Sequence, residues 1–421
     1  MKLSTFQSTR ILRCVAVYCL VLLATSCGRN EFTEREKNIL STLSLSKLIP
    51  ASAESNRYAF NEQAQQLGEQ LFFDTQLSAG NRFSCASCHL PEKFFTDGLP
   101  TGVGVETTNR NTPALHGSAW QSWFYWDGRR DSMWSQALTP IESPQEMAGD
   151  RVAITKFLAG NQNYRSQYET VFGTLPYTGS EAVLSLSASP MGNQKQKRSW
   201  IEMSAADQDK INTVFANTGK ALAAYQHTLK PLKTRFDLFI EEVASGKKIR
   251  QISTLSKHEM EGALLFLNEK RTQCLECHNG PLQSNGSFHN IGTGRLTGPV
   301  FDFGREFGSQ SALLDEFNCQ GRYSDAKADE CLHLIYMSRD TTHMRGAFKT
   351  PTLRNITNTA PYFHDGRFST LEQVVRHYAR PPPWTRPDEH ELRPGFELNE
   401  EEIKALTAFL QSFEPLEDQT D

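Results

Sequence analysis

Beyond its first two dozen residues the chain has no apolar run of transmembrane length, so nothing after that point reads as a membrane-spanning helix. It also lacks a basic surplus. Lys and Arg number 44 against 48 Asp and Glu, a formal net charge of −4, which argues against a nucleic-acid binder. Strand-type alternation is scarce, so the fold is expected to be mainly α. Cysteine is sparse as well, with nine in 421 residues.

Those nine sort by place. The N-terminus is basic (Lys2, Arg10, Arg13) and runs into an apolar stretch from Cys14 to Ala24, the layout of a secretory signal over residues 1–27. Cys14 and Cys19 lie inside it. Cys27 ends it, in a Leu-Leu-Ala-Thr-Ser-Cys context that resembles a bacterial lipobox with alanine where leucine is commoner. Cleaved export to a periplasm is therefore expected, with a lipid anchor on Cys27 and plain cleavage both open. Cys319 and Cys331, twelve apart, are expected to form a disulfide closing a surface loop in that oxidising compartment. Four cysteines remain.

They fall in two copies of one signature, Cys85-Ala-Ser-Cys88-His89 and Cys274-Leu-Glu-Cys277-His278. C-x-x-C-H attaches a c-type haem: the thiols form thioethers and the histidine becomes the proximal iron ligand. Zinc ribbons also use Cys pairs, but roughly 15–20 residues apart; here the pairs stand about 190 residues apart, and zinc has no further support. Two covalently bound haem c groups are the expected cofactors.

The approaches to the two motifs are alike. Gly68-Glu-Gln-Leu71-Phe72-Phe73 precedes the first and Gly262-Ala-Leu-Leu265-Phe266-Leu267 the second, each in a helical pattern whose glycine suggests close packing. Each half also ends in a helical pattern: Ile211, Val214, Phe215, Leu222 and Tyr225 in one, Ile403, Leu406, Leu410 and Phe413 in the other. Asn399 and Glu402 are placed as a capping box for the latter. Two cytochrome c-like domains are expected, over residues 55–235 and 236–415. Thr178 to Ser199 and Val300 to Asp329 read as irregular insertions.

The ordered motifs resemble one family, the bacterial di-haem cytochrome c peroxidases and their MauG-like relatives. They are Cys85–His89, Arg110-Asn111-Thr112-Pro113, Trp126-Asp127-Gly128-Arg129, Gln136…Pro140…Glu146-Met147, Cys274–His278, Pro351-Thr-Leu-Arg-Asn355 and Pro361-Tyr-Phe-His-Asp-Gly366. The resemblance spans residues 60 to 415 or so. It implies a peroxidatic haem at His89, with Gln136 and Glu146 on its distal side, and an electron-transfer haem at His278. It further implies that Trp126 lies between them as a relay, and that Asn111 with the carbonyls of Thr359 and Pro361 holds calcium. The remaining histidines without motif support, among them His116 and His227, are read as structural or exposed, and His364 as holding a turn by hydrogen bonding.

Two departures place the chain nearer the MauG-like branch. The loop from Asp97 to Glu106 lacks the histidine that blocks the first iron in typical peroxidases, so that iron is expected to be open. No methionine follows Met344, and Val374-Val-Arg-His377-Tyr378 resembles the segment whose tyrosine ligates the second iron in MauG. Tyr378 is the expected sixth ligand and His377 the runner-up. The expected activity is reduction of hydrogen peroxide with electrons from a small cytochrome c or copper protein. The alternatives are MauG-like oxidation of side chains on a protein substrate, and a pure electron-transfer cytochrome.

Overall fold

A computed structural model describes residues 29–176, 181–295, 300–380, 391–392 and 397–416. The leader and Cys27 lie outside the described residues. The elements are almost all helical: α1 (Glu34–Leu43), α2 (Glu62–Phe73), α3 (Met133–Glu142), α4 (Arg151–Gly160), α5 (Gln162–Phe172), α6 (Gln194–Glu202), α7 (Ala205–Gln226), α8 (Arg235–Ala244), α9 (Lys257–Phe266), α10 (Arg305–Leu314), α11 (Leu371–Ala379) and α12 (Glu400–Gln411). Among the described residues one ladder of two-residue strands forms, β1 (Phe288–His289) against β2 (Phe348–Lys349), with Phe288 opposite Lys349.

Two helix crossings organise the chain. α2 crosses α7 at Gly68, where an added Cβ would lie 1.9 Å from the Ala221 carbonyl oxygen and 3.1 Å from Tyr225 Cβ. α9 crosses α12 at Gly262, where an added Cβ would lie 2.0 Å from the Ala405 oxygen and 2.7 Å from Phe409 Cβ. Each glycine precedes its haem motif, and each faces two residues four apart, one turn of the partner helix. The same joint is built twice.

Each crossing sits in its own apolar core. Leu67, Leu71, Phe72, Trp134, Phe215 and Leu222 belong to the first. Phe236, Phe239, Phe266, Phe409 and Phe413 belong to the second, with the Phe236 and Phe413 rings 4.6 Å apart. At ~1.5–3 kcal/mol per fully buried large apolar side chain, these clusters dominate the favourable side of folding. α1, with Phe32 just ahead of it, adds Leu40 and Leu43 to the second core, although it precedes the first in sequence. The Asn399–Glu402 capping box forms as the spacing predicts.

The irregular insertions need correction. Residues 178–199 include a helical turn, Glu181–Leu184, and the start of α6, whose N-terminus is held by Asn193 and Gln196 in a reciprocal capping box. Residues 300–329 contain α10, which docks through Arg305, Glu306, Gly308 and Ser309, all buried. An interface made of polar residues gives no hydrophobic period to read. Cys319 and Cys331 are bridged, their Cα atoms 5.6 Å apart. Beside that bridge Trp123, Ala312 and Leu334 form a small third cluster.

Candidate active site

The first motif closes into a single turn, Cys85–Ser87, with the His89 N–H on the Cys85 carbonyl at 2.9 Å. The second repeats this over Cys274–Cys277, with the His278 N–H on Cys274 at 2.8 Å. Each histidine then turns its ring the same way. His89 Nδ1 lies 2.9 Å from the Phe95 carbonyl and His278 Nδ1 3.0 Å from that of Gln283. Both carbonyls belong to residues with left-handed backbone, φ 60° and 49°. A ring that donates from Nδ1 presents Nε2 as its lone-pair donor, the tautomer that ligates iron. Burial lowers the pKa of both rings, His278 to about 4, so the neutral form is favoured.

All four motif thiols are unbridged. Burial pushes the Cys85 thiol up to about 12 and Cys274 to about 11. One cavity of about 940 Å³ holds Cys85, Cys88 and His89 as well as Cys274, His278 and Tyr378. Two neutral imidazoles and free thiols at one large cavity form a donor set that fits two thioether-linked haems.

Gln136, Glu146 and Trp126 line that same cavity. Gln136 rides on α3, whose N-terminus is capped by Ser132. Glu146 follows in the turn beyond Pro140. Its carbonyl accepts the Val105 N–H at 2.8 Å, and a Cβ on Gly104 would lie 2.4 Å from that oxygen. The loop after the first motif is thus held against the Glu146 backbone. It offers Gly102, Val103 and Gly104 to the cavity, none of which can ligate iron. Tyr125, which motif reading passed over, completes this wall. Its hydroxyl donates to the Gln136 carbonyl at 3.3 Å, and Arg129 lies 3.4 Å over its ring. Burial, then the Glu146 charge, pushes the phenol up to about 12. Tyr125 adopts φ 67°, a conformation no sequence pattern announced.

At the second motif Tyr378 lines the cavity, while the His377 ring takes the Ile291 carbonyl on Nε2 at 2.7 Å. A nitrogen so engaged leaves Tyr378 as the better-placed of the two. Burial, then the neighbouring Cys277 and Cys274 side chains, holds the Tyr378 phenol above its usual range.

Asn111, Thr359 and Pro361 are also brought to the cavity. Asn111 Nδ2 donates to the Leu99 carbonyl at 2.8 Å, which leaves Oδ1 as its acceptor end and suits a cation that prefers oxygen. His364 corrects the turn-holding expectation. Its ring stacks on Phe348 at 3.6 Å and its buried Nε2 has no hydrogen-bond partner. Its carbonyl, instead, accepts the Asn111 N–H at 2.7 Å. The mirror contact runs from the Lys349 N–H to the Trp126 carbonyl at 2.8 Å. Asn111-Thr-Pro corresponds to Lys349-Thr-Pro, and Trp126-Asp-Gly-Arg to His364-Asp-Gly-Arg. Tyr125 and Phe363 share φ near 68°, at 67° and 69°. The duplicated halves therefore clasp each other crosswise, through paired segments.

Residues 62–245 match the family described as di-haem cytochrome c peroxidase. Over 364 residues the chain is 30% identical to a cytochrome-c peroxidase, IdrP2, of Denitromonas iodatirespirans, covering 85% of this chain and 84% of that protein. The chain belongs to the di-haem cytochrome c peroxidase family. MauG-named members lie as near as peroxidases. The methylamine utilization protein MauG of Methylorubrum extorquens is 29% identical over 348 residues, 82% of this chain and 76% of that one. The crystal structure of the diheme peroxidase BthA from Burkholderia thailandensis superposes with a TM-score of 0.59 at 19% identity, covering 84% and 86% of the two chains. That likeness concerns the fold.

Proposed function

We propose that this di-haem family member reduces hydrogen peroxide at the His89 end of the cavity, with electrons entering at the His278 end from a small cytochrome c or copper protein. The observation that carries the reading is the cavity lining at the first motif, where Gln136 and Glu146 share the space with His89 and the loop from Asp97 to Glu106 supplies no ligand. Haem iron on His89, when bound, supplies the site that holds peroxide and accepts its oxidising equivalents. Glu146 takes a proton from the inner peroxide oxygen and returns it to the departing one, acting as base and then acid. Gln136 orients peroxide by hydrogen bonding. Trp126, its indole N–H fixed on the Asn111 carbonyl at 2.9 Å, is the relay between the two ends. A calcium ion on Asn111 Oδ1 and the Thr359 and Pro361 carbonyls would stiffen the same junction. The secretory layout of residues 1–27 supports a periplasmic setting for this chemistry, free or lipid-anchored through Cys27.

Glu146→Gln tests the assignment. It should leave both haem spectra intact and slow the reaction with peroxide by roughly 10²–10⁴-fold, the usual worth of a positioned acid–base group. Unchanged stopped-flow kinetics would remove Glu146 from the mechanism.

A second reading is MauG-like oxidation of side chains on a partner protein too large for the cavity. Tyr378 favours it, because a phenolate ligand stabilises oxidised iron at the second site better than a methionine does. Protein-substrate turnover without any competent small redox donor would select this reading over the first.

A further inference from the structure

Lys349 lies on β2, is 9% exposed, and lines the cavity shared by both motifs. Its backbone N–H is the one held by the Trp126 carbonyl. Burial alone acts on its amine, lowering it to about 8, and no carboxylate in the described protein offsets this. Arg354 is matched by Asp237 at 2.7 Å, Arg151 by Glu142 at 2.7 Å and Lys220 by Asp325 at 2.8 Å. Arg305, which has no ion pair, donates to the Gly128 carbonyl at 2.6 Å and lies over the Trp123 and Phe288 rings. Lys349 has neither kind of partner among the described residues. A buried ammonium without a counter-ion is costly, so an unmatched one on a residue lining a cavity points to an anion held there.

The internal symmetry sharpens the point. Lys349 occupies the position that Asn111 holds in the other half, since each precedes Thr-Pro and each N–H is held by the opposite half's Asp-Gly-Arg segment. One side of the junction carries an amide oxygen suited to a bound cation, and the other carries a tethered cation. We propose that Lys349 is a carboxylate-anchoring site, its ammonium pairing with a propionate of a haem at the junction and fixing that haem against the Trp126 segment. The proposal rests on the di-haem reading of the cavity. Lys349 is a positioning residue, acting on the haem carboxylate rather than on peroxide.

The test uses the full-length holoprotein as wild type, Lys349→Met and Lys349→Arg. Mass spectrometry and haemochrome spectra first count covalently attached haems in each. Potentiometric titration then follows both haems, and resonance Raman follows the propionate-bending bands. Removing a cation beside a haem carboxylate favours ferric iron. Lys349→Met should therefore lower the midpoint potential of one haem and shift its propionate band, with Lys349→Arg restoring both. Two attached haems with potentials and bands unchanged in Lys349→Met would overturn the proposal. A wild-type protein without two attached haems would overturn the di-haem reading instead, which separates the two failures. If Lys349→Met does not incorporate haem, Lys349→Gln gives the same comparison with a neutral polar side chain.

Discussion

Replacing Gly68 or Gly262 by alanine sets two known effects against each other. In a helix interior alanine is better than glycine by about 1 kcal/mol, so on propensity alone each change would stabilise. At these crossings the new methyl would sit 1.9 Å from the Ala221 oxygen or 2.0 Å from the Ala405 oxygen, more than an ångström inside van der Waals contact. Both obstacles are backbone carbonyls inside long helices, and no rotamer change relieves them. The helices must part along the joint that carries each haem motif. Overpacking costs ~1–3 kcal/mol and occasionally more; with immovable neighbours the upper end applies. The net loss is about 2 kcal/mol or more, which is a fall in Tm of about 4–8 °C for a domain of ordinary size. Gly160 is the control. It closes α4 with nothing within 4 Å of an added Cβ, so Gly160→Ala should be neutral or stabilising by up to ~1 kcal/mol. Calorimetry of the holoproteins reads all three. Gly68→Ala or Gly262→Ala as stable as wild type would refute the close-crossing account.

Three further outcomes follow from the geometry. Asp237→Asn strips the partner from Arg354, both being 3% exposed, and should cost ~3–5 kcal/mol, as breaking a buried pair does. Burial alone would raise the Asp237 pKa, but its bonds to Arg354 and Thr234 hold it below the ordinary value. Its contribution is therefore complete above about pH 4 and is lost as pH falls toward the depressed value. The gap in Tm between wild type and Asp237→Asn should stay constant from pH 5 to 7 and narrow below about pH 4; a gap that widens in acid would contradict this. Under the proposed ligation by Tyr378, Tyr378→Phe should alter the low-spin signal of the second haem and raise its potential, because it removes an oxygen ligand that favours ferric iron; an unchanged spectrum would return the role to another residue.

Much of the haem-binding framework was legible because covalent attachment demands a fixed local spelling. C-x-x-C-H cannot drift, and the crossing glycines Gly68 and Gly262 each open a Gly-x-x-Leu-Phe stretch ahead of it. The Asn399–Glu402 box was readable for a similar reason, since capping is local. α6 was legible in principle through Asn193 and Gln196, but its polar run concealed it. α10 was not, since it docks by Gly308 against the Asp127 backbone and by Arg305 between Trp123 and Phe288. Tyr125 and Lys349 escaped because their importance lies in what they face. The Asn111–His364 and Lys349–Trp126 contacts join residues far apart in sequence, and only the folded chain pairs them.

The central claim is an open peroxidatic haem at His89 coupled to a second haem at His278. Low-temperature EPR of the fully oxidised protein, before and after one equivalent of hydrogen peroxide, tests it most directly. The account predicts one high-spin and one low-spin ferric signal, both lost rapidly on peroxide addition. Two low-spin signals indifferent to peroxide, before and after one-electron reduction, would contradict it and leave an electron-transfer cytochrome.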